Sequence, residues 1–140
     1  MKRNIMTSPA FLRQKAETAT PTDVHVARDL ADTLAAYSDR CVGMAANMIG
    51  VNKRIIVFND DDKDDDATTT MFNPKIVEKY GEYTTSEGCL SLDGERTTSR
   101  FRRIVVTYDD EKFHSHTATY DGWTAQIIQH EIDHCNGILI

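Results

Sequence analysis

The run Gln129-His130-Glu131-Ile132-Asp133-His134 places two histidines four residues apart, with a glutamate between them. In an α-helix, side chains with this spacing leave the same face about one turn apart, so both imidazoles can reach one divalent metal ion. The glutamate can reach the same space and act as a general base. The run therefore predicts a metal-binding helix that is the last element of the chain.

A third metal ligand is expected upstream, because only a few residues follow His134. Thiolates and imidazoles suit a borderline divalent metal, and the chain offers five such candidates upstream: Cys41, Cys89, His25, His114 and His116. Cys89 is favoured by its setting, the run Ser86-Glu87-Gly88-Cys89-Leu90-Ser91. Gly88 permits an unusual backbone angle and a close approach of another backbone segment.

Three segments occur in a fixed order along the chain: Gly43-Met44-Ala45-Ala46, Glu87-Gly88-Cys89-Leu90-Ser91 and Gln129-His130-Glu131-Ile132-Asp133-His134. Together they resemble the three signature segments of the peptide deformylase family. The similarity runs along essentially the whole chain, and the combination is far more specific than any one segment.

The resemblance implies a set of catalytic roles. Cys89, His130 and His134 would be the metal ligands, usually of Fe²⁺, with Zn²⁺, Ni²⁺ or Co²⁺ as substitutes. Glu131 would be the general acid and base, and the backbone N–H of Leu90 would stabilise the oxyanion. The substrate would be a peptide that begins with N-formylmethionine.

The resemblance also implies a peptide-binding groove. Val42, Gly43 and Gly88 would hydrogen-bond the substrate backbone as an added strand. Leu90 and Ile127 would contact the methionine side chain. On a helical plot Ile127 falls between His130 and Glu131, which independently places it beside the metal.

One departure from the family pattern concerns the first segment. Met48 stands where the family has a glutamine whose amide stabilises the oxyanion, and Cys41 replaces a glycine. Losing one such donor typically costs about a hundred- to a thousandfold in turnover. Asn47 could compensate, but adjacent side chains on extended backbone diverge.

This departure leaves two alternatives open. The first is a deformylase-like protein with weak or lost activity that serves as a peptide-binding module. The second is a metal-dependent hydrolase that acts on another N-acyl amide.

Composition sets the broad class of the protein. A length of 140 residues with 40% hydrophobic content suits one domain, residues 1–140, with its own core. The net charge of -6 argues against nucleic-acid binding, although it is compatible with a protein surface on the ribosome. There is no apolar run for export or for membrane insertion, and the predicted location is the cytoplasm.

The hydrophobic pattern predicts an α+β fold, with short antiparallel strands packed around the C-terminal metal-binding helix. An amphipathic helix is expected from about residue 23 to residue 37, with its apolar stripe facing the sheet. The predicted strands are Arg54–Phe58, Thr70–Phe72, Ile76–Tyr80, Ile104–Tyr108 and Phe113–Tyr120, and a turn is expected at residues 109–112.

The last helix is expected at residues 123–136, ended by Gly137 in the left-handed conformation. At 100° per residue its broad apolar arc contains Trp123 and Cys135, whereas Gln126, Gln129 and Asp133 lie opposite.

Other chemistry-bearing residues have simpler interpretations. His25, His114 and His116 are predicted to be solvated surface residues, and Cys135 a small core residue. The acidic run at residues 60–66 lacks the central glycine and closing glutamate of a calcium loop, so it is predicted to be a solvated loop. Glu87 could itself be a metal ligand, but the family resemblance implies that it is a structural carboxylate paired with Arg100.

Overall fold

The computed structural model describes residues 1–60 and 68–140. Its helices are α1 (Pro9–Leu12), α2 (Val24–Ala36) and α3 (Gly122–Cys135), with 3₁₀ turns at Pro21–Asp23 and Ala46–Ile49. Its strands are β1 (Gly43–Ala45), β2 (Ile55–Asn59), β3 (Thr68–Cys89), β4 (Leu92–Asp109) and β5 (Ser115–Asp121). Apart from Asp60, the acidic run predicted to be a loop lies outside the described residues.

The five strands form one antiparallel sheet in the order β1-β2-β3-β4-β5, and α3 follows the last strand. The predicted α+β class is therefore confirmed. Among the described residues, no helix is long and apolar enough to cross a membrane.

Strand β2 separates two hydrophobic clusters. Ile55 and Val57 belong to a cluster that includes the apolar stripe of α2, whereas Ile56 and Phe58 belong to a cluster that includes the apolar side of α3. Successive side chains of a strand point to opposite faces, so β2 is buried on both faces and lies between the two helices. The α2 stripe faces the sheet, as predicted.

Strands β3 and β4 are much longer than the sequence predicts. Two predicted strands, Thr70–Phe72 and Ile76–Tyr80, are parts of β3, which continues to Cys89. The sequence signal is interrupted by Asn73, which has a left-handed φ of 54°, and by Pro74, but the strand continues through an irregular register there. The rest of β3 is largely exposed and polar, so no hydrophobic alternation marks it.

The helical plot of α3 predicts the burial of some side chains correctly and of others wrongly. Cys135 is buried, and Gly137 ends the helix with a φ of 75°. Trp123, however, is 52% exposed, and Gln129 is buried because its amide bonds the backbone of Phe101 in β4. A helical plot contains no information about neighbouring strands, so it cannot predict that a polar side chain is buried because a strand supplies its hydrogen bonds.

Candidate metal centre and catalytic groove

Three potential ligand atoms meet where β3 ends against α3. Cys89 is the last residue of β3, and its Sγ lies 3.2 Å from Nε2 of His134. Nε2 of His134 lies 3.1 Å from Nε2 of His130, and the three ligand atoms are all within 4.8 Å of one another. The predicted cysteine and two histidines are therefore brought together, whereas the other four upstream candidates are not in this cluster.

The residues of this cluster fit a divalent transition metal. A thiolate with two imidazoles is a donor set that such ions prefer. Burial lowers the pKa of His134 to about 3, so its ring is in the neutral form that binds a metal. Burial would also lower the pKa of His130, but hydrogen bonds with Cys89 and Glu87 outweigh it and raise that pKa to about 10, so a metal would have to displace a proton from this ring. Nε2 of both rings points at the same space, and a shared cation gives these converging atoms a common partner.

A buried carboxylate orients His130 from behind. Oε1 of Glu87 lies 2.9 Å from Nδ1 of His130, and Nε2 of Gln126 donates to Oε2 of Glu87 at 2.8 Å. Burial alone would raise the pKa of Glu87, but the hydrogen bonds from His130, Arg100 and Gln126 outweigh it and lower the pKa to about 2. An ionised Glu87 keeps Nδ1 of His130 protonated and Nε2 directed at the metal position.

Arg100 links this carboxylate to the metal-binding helix. Its guanidinium bonds Oε1 of Glu87 at 2.6 Å and Oδ2 of Asp133 at 2.7 Å, and its side chain is 4% exposed. The expected pairing of Glu87 with Arg100 is thus present, and Asp133 extends it to the residue before His134. The network attaches β4, the end of β3 and α3 to one another.

Replacing Arg100 with methionine is expected to lower the free energy of unfolding by about 3–5 kcal/mol, because the buried carboxylate of Glu87 and the partly buried carboxylate of Asp133 both lose their cationic partner. Chemical denaturation monitored by circular dichroism measures the change. The matched control is Arg103→Met, since Arg103 pairs with Asp121 at 2.6 Å but both side chains are more than half exposed. This control should cost less than about 1 kcal/mol. Equal losses in the two variants would contradict the structural role of the buried network.

The carboxylate of Glu131 lines the same groove as Cys89 and His130. Its side chain is buried, and its Oε1 makes no hydrogen bond to any described residue. Burial raises the pKa of Glu131 to about 7. Such a group can exchange a proton near neutral pH, as a general acid and base requires.

Gly43 keeps the space beside Glu131 open. A Cβ at this position would lie 2.8 Å from Cγ2 of Ile127 and 3.0 Å from Oε2 of Glu131. A larger side chain would therefore displace the glutamate or the isoleucine. This close approach explains why a glycine is required here.

Cys89 and His130 of the cluster line an open groove of about 650 Å³. The groove runs between the β1 segment and the end of β3, and all five residues predicted to bind substrate line it: Val42, Gly43, Gly88, Leu90 and Ile127. β1 is the edge of the sheet, and among the described strands the end of β3 pairs only with β4. Both sides of the groove thus present strand edges to a peptide.

The residues that depart from the family pattern also lie here. Met48 and Cys41 line the groove, and burial raises the pKa of Cys41 to about 12, which keeps it a thiol. Asn47 lies in a 3₁₀ turn and not on the extended backbone assumed from the sequence, and its amide donates to the backbone carbonyl of His134 at 2.9 Å. Asn47 is buried and is not among the residues that line the groove, so the structure does not place its amide where it could replace the glutamine.

Several contributing residues could not be identified from sequence. Gln126 and Trp123 line the groove, and Gln126 also holds Glu87. Their positions depend on how α3 packs against β3, for which the sequence carries no local signal. The histidines predicted to be solvated, His25, His114 and His116, are all exposed.

The antiparallel sheet, the partly buried cysteine beside two buried histidines, and the adjacent unpaired glutamate are together typical of metal-dependent hydrolases. This is the class that the fold and the site define. A profile of the family described as polypeptide deformylase matches residues 2–140. The chain belongs to this family, and its activity is that of a deformylase.

Individual relatives agree with this assignment. A peptide deformylase from Clostridium beijerinckii is 49% identical over 140 residues, covering 100% of both chains. The crystal structure of a peptide deformylase from Legionella pneumophila has a TM-score of 0.86 and 35% identity, covering 99% of this chain and 83% of that chain. That of the Thermotoga maritima peptide deformylase has a TM-score of 0.87 and 26% identity, covering 99% and 95%.

Proposed function

We propose that the chain removes the formyl group from the N-terminal formylmethionine of newly made polypeptides in the cytoplasm. The observation that carries the proposal is the convergence of Cys89, His130 and His134 beside a buried glutamate, next to a groove with strand edges on both sides. A hydrolase of an N-terminal amide needs these parts together: a metal position, a proton carrier and a site for an extended peptide.

Cys89, His130 and His134 would hold the metal, which we propose to be Fe²⁺, with Zn²⁺, Ni²⁺ or Co²⁺ as substitutes. A divalent metal held there would lower the pKa of a water molecule to near neutrality and would polarise the carbonyl group of the substrate. Glu87 supports this role because its carboxylate fixes the ring of His130.

Glu131 would carry the proton through both halves of the reaction. It accepts a proton from the attacking water and then delivers it to the departing nitrogen as the C–N bond breaks, which yields formate and a free amine. Its raised pKa of about 7 suits both transfers. The backbone N–H of Leu90, in the turn after Cys89, would donate to the oxygen that becomes negative as the formyl carbon turns tetrahedral.

The peptide would bind as an added strand. Gly43 is the first residue of the edge strand β1, and Val42 directly precedes it. Gly88 lies near the end of β3, on the opposite side of the groove. Backbone groups of Gly43 and Gly88 can pair with an extended peptide, whereas the carbonyl of Val42 already accepts from the backbone N–H of Asn59 at 2.9 Å. Ile127 and Leu90 would contact the methionine side chain.

The direct test is anaerobic purification with metal analysis, followed by measurement of formate release from formyl-Met peptides. One equivalent of Fe²⁺ and release from formylated peptides are expected. Matched acetylated and unblocked peptides serve as controls, and preferential hydrolysis of the acetylated peptide would contradict the proposed substrate. A stoichiometric metal with no hydrolysis would instead indicate a peptide-binding module.

Met48→Gln is expected to raise kcat for the formylated peptide by up to about 100-fold, because it introduces a side-chain donor near the oxyanion. Met48 is 1% exposed and lines the groove, and glutamine has a similar length. Steady-state kinetics measures the change, with Met48→Leu as the control that lacks a donor and should remain near the wild-type value. An unchanged kcat in Met48→Gln would mean that the oxyanion is already fully stabilised.

A further inference from the structure

The two histidines of the cluster differ in how their second ring nitrogen is satisfied. Nε2 of His134 lies 3.1 Å from Nε2 of His130 and 3.2 Å from Sγ of Cys89, so Nε2 is the nitrogen that faces the metal position. A neutral ring that gives the lone pair of Nε2 to a metal carries its proton on Nδ1. His130 has Glu87 at its Nδ1, whereas Nδ1 of His134 is buried and bonds no described residue.

The side chain of Asn47 offers a hydrogen-bond acceptor for His134. Its side chain is buried, and Nδ2 donates to the backbone carbonyl of His134 at 2.9 Å. A carbonyl can only accept, so this bond fixes the orientation of the amide and identifies Oδ1 as the remaining polar atom. Oδ1 is also buried and receives no donor from the described residues. Asn47 therefore has an unsatisfied buried acceptor and is already hydrogen-bonded to His134, the residue whose Nδ1–H is an unsatisfied buried donor.

The other buried acceptors without a described partner are less suited to His134. Glu131 is adjacent to Gly43 and Ile127 at the groove. Asn52 lies in a loop, where its backbone carbonyl accepts from the N–H of Glu17. In the described part of the chain, no hydrogen bond connects Asn52 or Ser91 to α3. Asn47 alone in this set is already hydrogen-bonded to His134.

We propose that Asn47 is the positioning residue for His134: Oδ1 accepts the Nδ1 proton through one buried water, while Nδ2 holds the last turn of α3. The bond at Oδ1 selects the tautomer, and the bond from Nδ2 fixes the position of the last turn, so that Nε2 of His134 faces the metal position. Partners of this kind typically change metal affinity by about 10- to 100-fold when removed. The proposal rests on the proposed function, because it requires that the cluster binds a metal.

The proposal is tested by metal affinity and by the protonation of His134 in the Zn²⁺-loaded protein. Competition with a chromophoric chelator gives the dissociation constant, and ¹⁵N–¹H correlation spectra report the Nδ1 proton of His134. Asn47→Leu should raise the dissociation constant by about 10- to 100-fold and should lose the slowly exchanging Nδ1 proton. Asn47→Asp retains an oxygen at the same position and should keep that proton, which a purely space-filling role would not predict.

Two control variants isolate the role of Asn47. Asn52→Leu removes another buried amide with an unpartnered oxygen, and Ser91→Ala removes the competing hydroxyl; neither should change the dissociation constant more than about twofold. An unchanged affinity in Asn47→Leu, a lost Nδ1 proton in Asn47→Asp, or an equal loss of affinity in Ser91→Ala would each overturn the proposal. If the wild-type protein itself binds no Zn²⁺, the proposed metal site fails before the role of Asn47 is reached.

Discussion

Glu131→Gln is expected to lower kcat for deformylation by about 100- to 10,000-fold, the range that a positioned general acid and base contributes. The glutamine keeps the size of the side chain but cannot carry the proton from the attacking water to the departing nitrogen. Formate release measured in a steady-state assay reports the loss. KM should change little, because the peptide contacts proposed for the strand edges of the groove are unaltered.

Two further measurements separate this effect from damage to the site. The metal content should remain at one equivalent, because Glu131 is not part of the ligand cluster. The free energy of unfolding should not fall, since burial of an ionised carboxylate is unfavourable and its pKa is already raised to about 7. Glu82→Gln, on the exposed part of β3, is the matched control and should retain wild-type turnover. Full activity in Glu131→Gln would remove Glu131 from the mechanism.

Cys89→Ala is expected to lower kcat/KM by at least about a thousandfold. The variant removes one of three proposed ligands, and a metal contributes several kcal/mol to stabilising the transition state, each 1.4 kcal/mol being tenfold in rate. Metal analysis should show that the purified variant holds far less than one equivalent, and circular dichroism should show that the fold is retained.

Cys41→Ala provides the comparison for this variant. Cys41 lines the same groove, but its Sγ bonds the backbone carbonyl of Gly43 and is not part of the ligand cluster. The Cys41 variant should therefore keep a full equivalent of metal. If the two variants lose metal equally, Cys89 has no special place in the cluster.

The coarse fold could be predicted because its signals are local. The apolar stripe of α2 and the β-branched runs of β2 and β4 reveal their elements through periodicity alone. The lengths of β3 and β4 could not be predicted in this way. Their outer parts pair with each other in a largely exposed ribbon, where no alternation of buried and exposed residues records the pairing.

The proposed metal ligands could be predicted from the sequence, but most of the residues that hold them in place could not. The spacing of His130 and His134 fixes both rings on one helical face, so two of the three proposed ligands follow from the geometry of the helix. Cys89 was identified by its glycine-containing segment and by the family resemblance. The partners that hold these residues were harder to find: the pairing of Glu87 with Arg100 was expected, but its extension to Asp133 and Gln126 was not.

The sequence by itself determined the chemistry available to this protein: a thiol, two imidazoles one helical turn apart and a carboxylate between them. Only the tertiary structure decided the surroundings that make this chemistry selective, including the burial of Glu131 and the bond from Asn47 to His134. The physical reason is that side-chain spacing within a helix is set by its own backbone, whereas burial and hydrogen-bond partners are set by segments that are distant in sequence and meet only when the sheet and α3 pack together.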